Sequence, residues 1–237
     1  MLRMAHPATG SDFSQKILEH LEITVEVRGL DKLDTRQKYV FASNHPLGGL
    51  DGIALVGVLG KKFGDDNVRV MVNDLLMNVK PLADVFLPIT KFGKKGVRES
   101  TRLFNEAIES GKEIVMFPAG LVSRKHEGGE IRDLEWKKTF VTKAIESGRK
   151  IVPIRFEGLN SMRFYNVARW RKRLKIKVNV EQALLPSELC KAKGKRFTIS
   201  FLDPVDPMLL AEQGLKPREI AERVYNMVYD KESFGNC

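Results

Sequence analysis

Apolar residues recur along this chain with two alternating spacings, that of a strand and that of a helix. Phe13, Ile17, Leu18 and Leu21 fall on one helical face behind Ser11, which stands at a cap position. Such a face packs on a core or lies on a membrane. Ile23 to Val27 alternates apolar and charged residues, as a half-buried strand does. Tyr39 to Ala42 is wholly apolar and reads as a buried strand, and Asp51 to Phe63 reads as a helix. Val68 to Val72 predicts another strand, and Asp74 to Phe86 is irregular or helical, broken by Pro81. Val97, Thr101, Phe104 and Ile108 mark a helix stopped by Gly111; Trp136, Phe140, Ala144 and Ile145 mark one stopped by Gly148. Ile114 to Phe117 and Ile151 to Phe156 read as strands, with Pro153 signalling a strand end or bulge. Residues 160–173 read as a basic helix, Lys175 to Val180 and Arg196 to Leu202 as late strands, and Pro217 to Lys231 as a closing helix. Strands alternating with helices predict an α/β fold, with a central mixed, largely parallel sheet flanked by helices.

Charge adds a direction. The 237 residues carry a net charge of +10. Eleven Lys or Arg against Glu181 and Glu188 give the segment from Ser161 to Ser200 a charge of +9. Such a balance favours an acidic partner: nucleic acid, an anionic membrane surface or an acidic carrier protein. A solvated basic face accounts for the same residues. No apolar run approaches the roughly 20 residues that span a bilayer, and no signal peptide is expected. Cys190 and Cys237, and the histidines at 6, 20, 45 and 126, show no metal-ligand spacing. Disulfides are not expected, which fits a reducing compartment.

Three runs carry candidate chemistry. Ser43-Asn44-His45-Pro46-Leu47-Gly48-Gly49-Leu50-Asp51-Gly52 joins the strand at Tyr39 to the helix that follows. A histidine oriented by a carboxylate is a general base for a hydroxyl proton. A capped turn, with Asn44 and Asp51 as caps and glycines at positive φ, explains the same residues. Val115-Met116-Phe117-Pro118-Ala119-Gly120-Leu121-Val122-Ser123-Arg124 is a second strand ending at a Pro/Gly turn, with an arginine beyond it. Ile151-Val152-Pro153-Ile154 is the third. Backbone amides at Gly48, Gly49 and Gly120 are candidates for an oxyanion site, or these glycines serve only their turns.

In this order and spacing, across roughly residues 38–160, the three runs resemble the glycerolipid acyltransferase superfamily. The resemblance implies a single acyltransferase domain over 1–237, with a catalytic core of about 38–160 and a basic C-terminal portion, 161–237. It implies O-acyl transfer from an acyl thioester, acyl-ACP or acyl-CoA, to the hydroxyl of a lyso-lipid, with no other cofactor and no metal. His45 is then the general base and Asp51 its partner. Asn44, Gly48 and Lys91 would contact substrate, as would Phe117, Pro118, Gly120, Ser123 and Arg124, the arginine suiting an anionic head group. Arg169, Arg171, Lys172 and Arg173 are candidates for a membrane or acyl-carrier protein surface. No serine or cysteine stands where it would be activated as a nucleophile, so single displacement is expected.

Two departures from the family pattern bear on the acceptor. Five residues, Pro46 to Leu50, separate His45 from Asp51, where four are usual, and Ala119 stands where the family has glutamate. The His-Pro-x-Gly spacer resembles the hemolysin-like and aminolipid O-acyltransferase branch, and leans towards an aminolipid over lysophosphatidic acid. Leu87 to Gly93 matches the family's second block loosely. The implied location is cytoplasmic, peripheral on the inner face of the cell membrane. Two rivals stand: a nucleic-acid-binding module, with Phe164, Tyr165 and Trp170 among the cations, and a catalytically lapsed scaffold.

Overall fold

The computed structural model describes residues 7–73, 76–89 and 94–230. Helix α1 (Gly10–His20) leads into strand β1 (Thr24–Arg28). Strand β2 (Tyr39–Ser43) leads to α2 (Gly49–Phe63), then β3 (Val68–Val72) and β4 (Phe86–Pro88). Helix α3 (Lys94–Glu109) precedes β5 (Glu113–Met116), a short hairpin of β6 (Arg124–Lys125) and β7 (Ile131–Arg132), and α4 (Thr139–Glu146). Strand β8 (Lys150–Glu157), α5 (Met162–Arg173), α6 (Leu185–Lys191), β9 (Arg196–Phe201), α7 (Pro207–Glu212) and α8 (Pro217–Tyr229) complete the chain.

The main sheet has seven strands in the order β1-β9-β8-β2-β5-β3-β4. Every neighbouring pair is parallel except β8 and β9. This is the mixed, largely parallel sheet that the alternation of periods predicts. Helices cover both faces, so the central strands are buried on both sides. Along β2, Tyr39 and Phe41 face a core shared with α1 and α2, while Val40 and Ala42 face one shared with α3, α4 and α8. Burying each such side chain contributes roughly 1.5–3 kcal/mol. The basic C-terminal portion completes the same sheet through β9 and the same core through Ile220 and Val224 of α8.

Several local expectations are met and others corrected. The apolar face of α1 packs on the core, with Phe13, Ile17 and Leu21 buried. Ser11 does not cap α1. Its own amide and hydroxyl donate to Asp65, whose carboxylate, brought from the turn after α2, covers the helix start. Pro153 sits at the expected bulge. Pairing of β8 with its β9 side steps from Ile154↔Phe201 to Ile151↔Val205, so one extra residue stands on the partner side; the Pro153 carbonyl still accepts the Leu202 amide, and the missing N–H falls at the irregular step. The stretch 74–86 gives two 3-10 turns, at Leu76–Asn78 and Lys80–Leu82, before the edge strand β4. That strand escapes the sequence because it is three residues long and ends in Pro88, which only an edge tolerates.

Lys175 to Val180 is not a strand. Lys175 adopts φ 55, and among the described residues no strand of the sheet pairs with the segment. Its alternation of apolar and basic residues faces solvent instead, with Ile176, Val178 and Val180 exposed.

Candidate active site

Parallel strands β2 and β5 are neighbours, with Val40 opposite Ile114 and Ala42 opposite Met116. Their carboxyl ends therefore open at the same edge of the sheet, the usual position for ligands in open α/β folds. His45 stands just beyond β2 and Phe117 just beyond β5. The Phe117 ring lies against the His45 imidazole, with centroids 4.2 Å apart and planes at 33°. That stack fixes one face of the imidazole.

Asp51 fixes its edge. His45 Nδ1 is 2.9 Å from Asp51 Oδ2, with the histidine side chain 15% exposed and the aspartate fully buried. The contact is short without being well aligned. Asp51 is in the first turn of α2 and accepts the Leu47 amide at 3.0 Å and the Gly48 amide at 3.0 Å. Burial dominates and pushes the Asp51 carboxyl above its ordinary value, while His45 and these bonds favour the carboxylate and oppose the shift. Gly48 is required here. Its φ of 82° belongs to glycine, and a Cβ would meet Leu185 Cδ2 at 2.9 Å. With Nδ1 turned to Asp51, Nε2 is the ring nitrogen available to a substrate.

A second carboxylate lies beneath the site. Asp133 is fully buried and accepts bonds from three directions: the His45 amide at 3.2 Å, the Ser123 hydroxyl at 2.5 Å and the Trp136 indole N–H at 3.0 Å. Its own amide donates to the Tyr229 hydroxyl and its carbonyl accepts from Tyr225, both on α8. Ser123 N in turn donates to the His45 carbonyl at 2.8 Å. Asp133 thus ties the histidine loop, the loop after β5 and the last helix into one unit. It is a positioning residue that the sequence did not reveal, since one aspartate beyond a Gly-Gly turn carries no spacing signal.

Replacing Asp133 with Asn is expected to lower both melting temperature and kcat while leaving KM close to wild type. The change loosens the loop that carries His45, and a buried donor left unsatisfied costs about 1–3 kcal/mol. Burial raises the Asp133 carboxyl above its ordinary value. The folded state therefore holds that proton more tightly than the unfolded chain. Wild type should gain stability relative to Asp133→Asn as pH falls through the raised value, levelling off below the unfolded value near about 3.9. Melting curves of both proteins across pH measure this, and a gap that narrows on acidification contradicts it.

The remaining sequence candidates divide. Asn44 is buried, and its amide bonds both main-chain groups of Phe156, so it locks the loop to β8. Ser123 is likewise buried and engaged by Asp133. The Gly120 amide closes its turn on the Phe117 carbonyl, and the Gly48 amide is held by Asp51, so neither is offered to an oxyanion. Pro118 is buried in the turn beside Phe117. Lys91 lies outside the described residues.

Arg124 sits in a clamp. Its guanidinium donates to Glu181 at 2.6 Å and to the Val122 carbonyl, and Arg171 Nε approaches the other Glu181 oxygen at 2.9 Å. Glu181 is fully buried, so both arginines are committed to structure first. Arg171, a candidate for a membrane or carrier surface, thus turns its Nε to Glu181. Glu181 and Glu188 had one legible signal, being the two acids in the +9 segment; both prove to be buried partners of cations. A groove of about 1160 Å³ runs alongside, lined by Leu121, Arg124, Tyr165, Arg169, Lys172 and Arg173 among others. Phe164 and Tyr165 are buried, which removes two of the three aromatics that a base-stacking surface would need.

A family model described as Acyltransferase matches residues 1–234. The chain is 46% identical over 220 residues to a lyso-glycine lipid O-acyltransferase of Phocaeicola vulgatus, covering 93% of this chain and 77% of that protein. It is 43% identical over 220 residues to a protein of the same name from Bacteroides thetaiotaomicron, covering 93% and 79%. The crystal structure of the 1-acyl-sn-glycerophosphate (LPA) acyltransferase PlsC from Thermotoga maritima aligns with a TM-score of 0.57 over 94% of this chain and 78% of that one. At 16% identity, that likeness is one of fold. With a family match running almost end to end, the protein belongs to the acyltransferase family, within the glycerolipid acyltransferase superfamily that its histidine loop and Phe-Pro turn resemble.

Proposed function

We propose that the protein moves a fatty acyl chain from an acyl thioester to the hydroxyl of a lyso-glycine lipid. The observation that carries the chemistry is the His45–Asp51 contact, held against Phe117 at the open ends of β2 and β5. The similarity to the two lyso-glycine lipid O-acyltransferases supports the acceptor. The same acceptor suits the Pro46 to Leu50 spacer and Ala119.

In this reading His45 Nε2 takes the proton of the acceptor hydroxyl as its oxygen attacks the thioester carbonyl. The Asp51 carboxylate stabilises the imidazolium that results. The tetrahedral oxyanion then collapses, the carbon–sulfur bond breaks, and the imidazolium returns the proton to the departing thiolate. No acyl-enzyme is formed. The Gly49 amide, at the first turn of α2, is the donor of the glycine run left to face the oxyanion. The acceptor's glycine carboxylate would lie in the groove beside Arg124, Arg169 and Lys172. The donor is acyl-carrier protein, whose acidity suits the basic segment, with acyl-CoA as the alternative.

Purified protein offered lyso-glycine lipid or lysophosphatidic acid, each with acyl-ACP or acyl-CoA, tests this by mass spectrometry of the products. Diacylated glycine lipid is expected as the principal product. Efficient acylation of lysophosphatidic acid, with the glycine lipid left unchanged, overturns the acceptor assignment. Lipid profiles of cells with and without the protein give the same answer in vivo.

A further inference from the structure

The run from Trp170 to Val180 contains Arg171, Lys172, Arg173, Lys175 and Lys177 and no acidic residue. Between these cations stand apolar side chains that the fold leaves in water: Trp170 is 61% exposed, Leu174 62% and Val178 71%. Scattered apolar residues on a surface are ordinary, whereas a contiguous set rimmed by charge marks an interaction site. The segment is also held in shape. Leu174 N donates to Trp170 O, Ile176 N to Arg171 O, and Arg171 Nη1 to Ile176 O at 3.1 Å. The ion pair of Arg171 with buried Glu181 anchors its far end. Trp170 and Leu174 are four residues apart and share a face of α5. Lys172 and Arg173, between them, line the groove that also holds Leu121 and Arg124, from the loop after β5.

We propose that residues 170–180 form an interfacial wedge that seats the protein on an anionic bilayer. Trp170, Leu174 and Val178 enter the boundary between headgroups and acyl chains, and Arg173, Lys175 and Lys177 lie on lipid phosphates. Docking this way sets the basic groove at the membrane surface, so a lyso-lipid reaches the site without crossing water. That consequence rests on the lipid acyltransferase reading; the binding itself does not. Charge selects the bilayer over other occupants. A second copy of the chain would bring +10 against +10. An acidic soluble protein would answer the cations but leave Trp170 and Val178 without an apolar medium.

The chain carries its own probe. Of its two tryptophans, Trp136 is buried at 3% exposure and Trp170 is not. Adding vesicles of equal parts phosphatidylcholine and phosphatidylglycerol to the full-length protein should shift Trp170 emission to the blue. Brominated acyl chains should quench it, and Trp170→Phe should abolish both effects. Leu174→Ser with Val178→Ser keeps every charge and is expected to weaken vesicle binding by about tenfold or more. Its melting temperature and its activity on detergent-dispersed acceptor should not change. Lys175→Ser and Lys177→Ser should each weaken binding by roughly fivefold at low salt, an effect that high salt removes. Emission that ignores vesicles overturns the proposal. So does a shift produced by acidic carrier protein without lipid, or one that follows protein concentration in buffer alone. Vesicle binding by a protein that transfers no acyl group would refute the catalytic reading and leave the wedge standing.

Discussion

His45→Ala yields a folded protein whose acyl transfer falls by about 10²- to 10⁴-fold, the contribution of a positioned general base. The fold should survive because the imidazole is partly exposed and packs mainly on the Phe117 ring, and because the loop is held by backbone groups. His45 N is bound by Asp133 and its carbonyl by Ser123, and neither bond involves the side chain. The loss should appear in kcat, with acceptor KM close to wild type, since the base acts in the transition state. Purified variant and wild type, compared by melting temperature and steady-state transfer, decide the matter. Wild-type turnover by a folded His45→Ala protein removes the histidine from the mechanism.

Asp51→Asn should lower kcat by about 10²- to 10⁴-fold, through loss of the charge that stabilises the imidazolium. Asp51 Oδ2 accepts the Leu47 and Gly48 amides and is also the oxygen that faces Nδ1. An asparagine that keeps its oxygen in that place still accepts from Nδ1, but leaves the developing positive charge on the ring uncompensated. One that turns its NH₂ there sets it against both amides and forces Nδ1 to accept, which places the ring proton on Nε2, the atom needed as base. The first arrangement preserves the turn, so stability should change far less than rate. NMR of the ring nitrogens tells the two arrangements apart. An Asp51→Asn protein of normal rate defeats this account. The two substitutions should be strongly non-additive, because they disable one unit.

The residues alone reveal much of this protein. Alternating periods give the buried strands, the helices between them and the fold class, because burial on both faces of a parallel sheet demands long apolar runs such as Tyr39 to Ala42. The pairing of His45 with Asp51 is also local. Five residues with one glycine turn separate them, and a helix beginning at Gly49 brings the carboxylate back over the loop. What lay beyond the sequence were the contacts that the sheet order creates. Phe117 meets His45 because β2 and β5 are neighbours, a pairing that no local pattern encodes. Asp133 reads as an ordinary surface acid until burial makes it the junction of three elements. The partners of Asn44, Ser123 and Arg171, which are Phe156, Asp133 and Glu181, come into view only in the folded chain. The run Lys175 to Val180 carries a strand's alternation, yet the sheet edges are β1 and β4 and neither recruits it. Period and turn chemistry act over a few residues and can be read along the chain, whereas burial and pairing of polar groups depend on which distant segments the tertiary fold brings together.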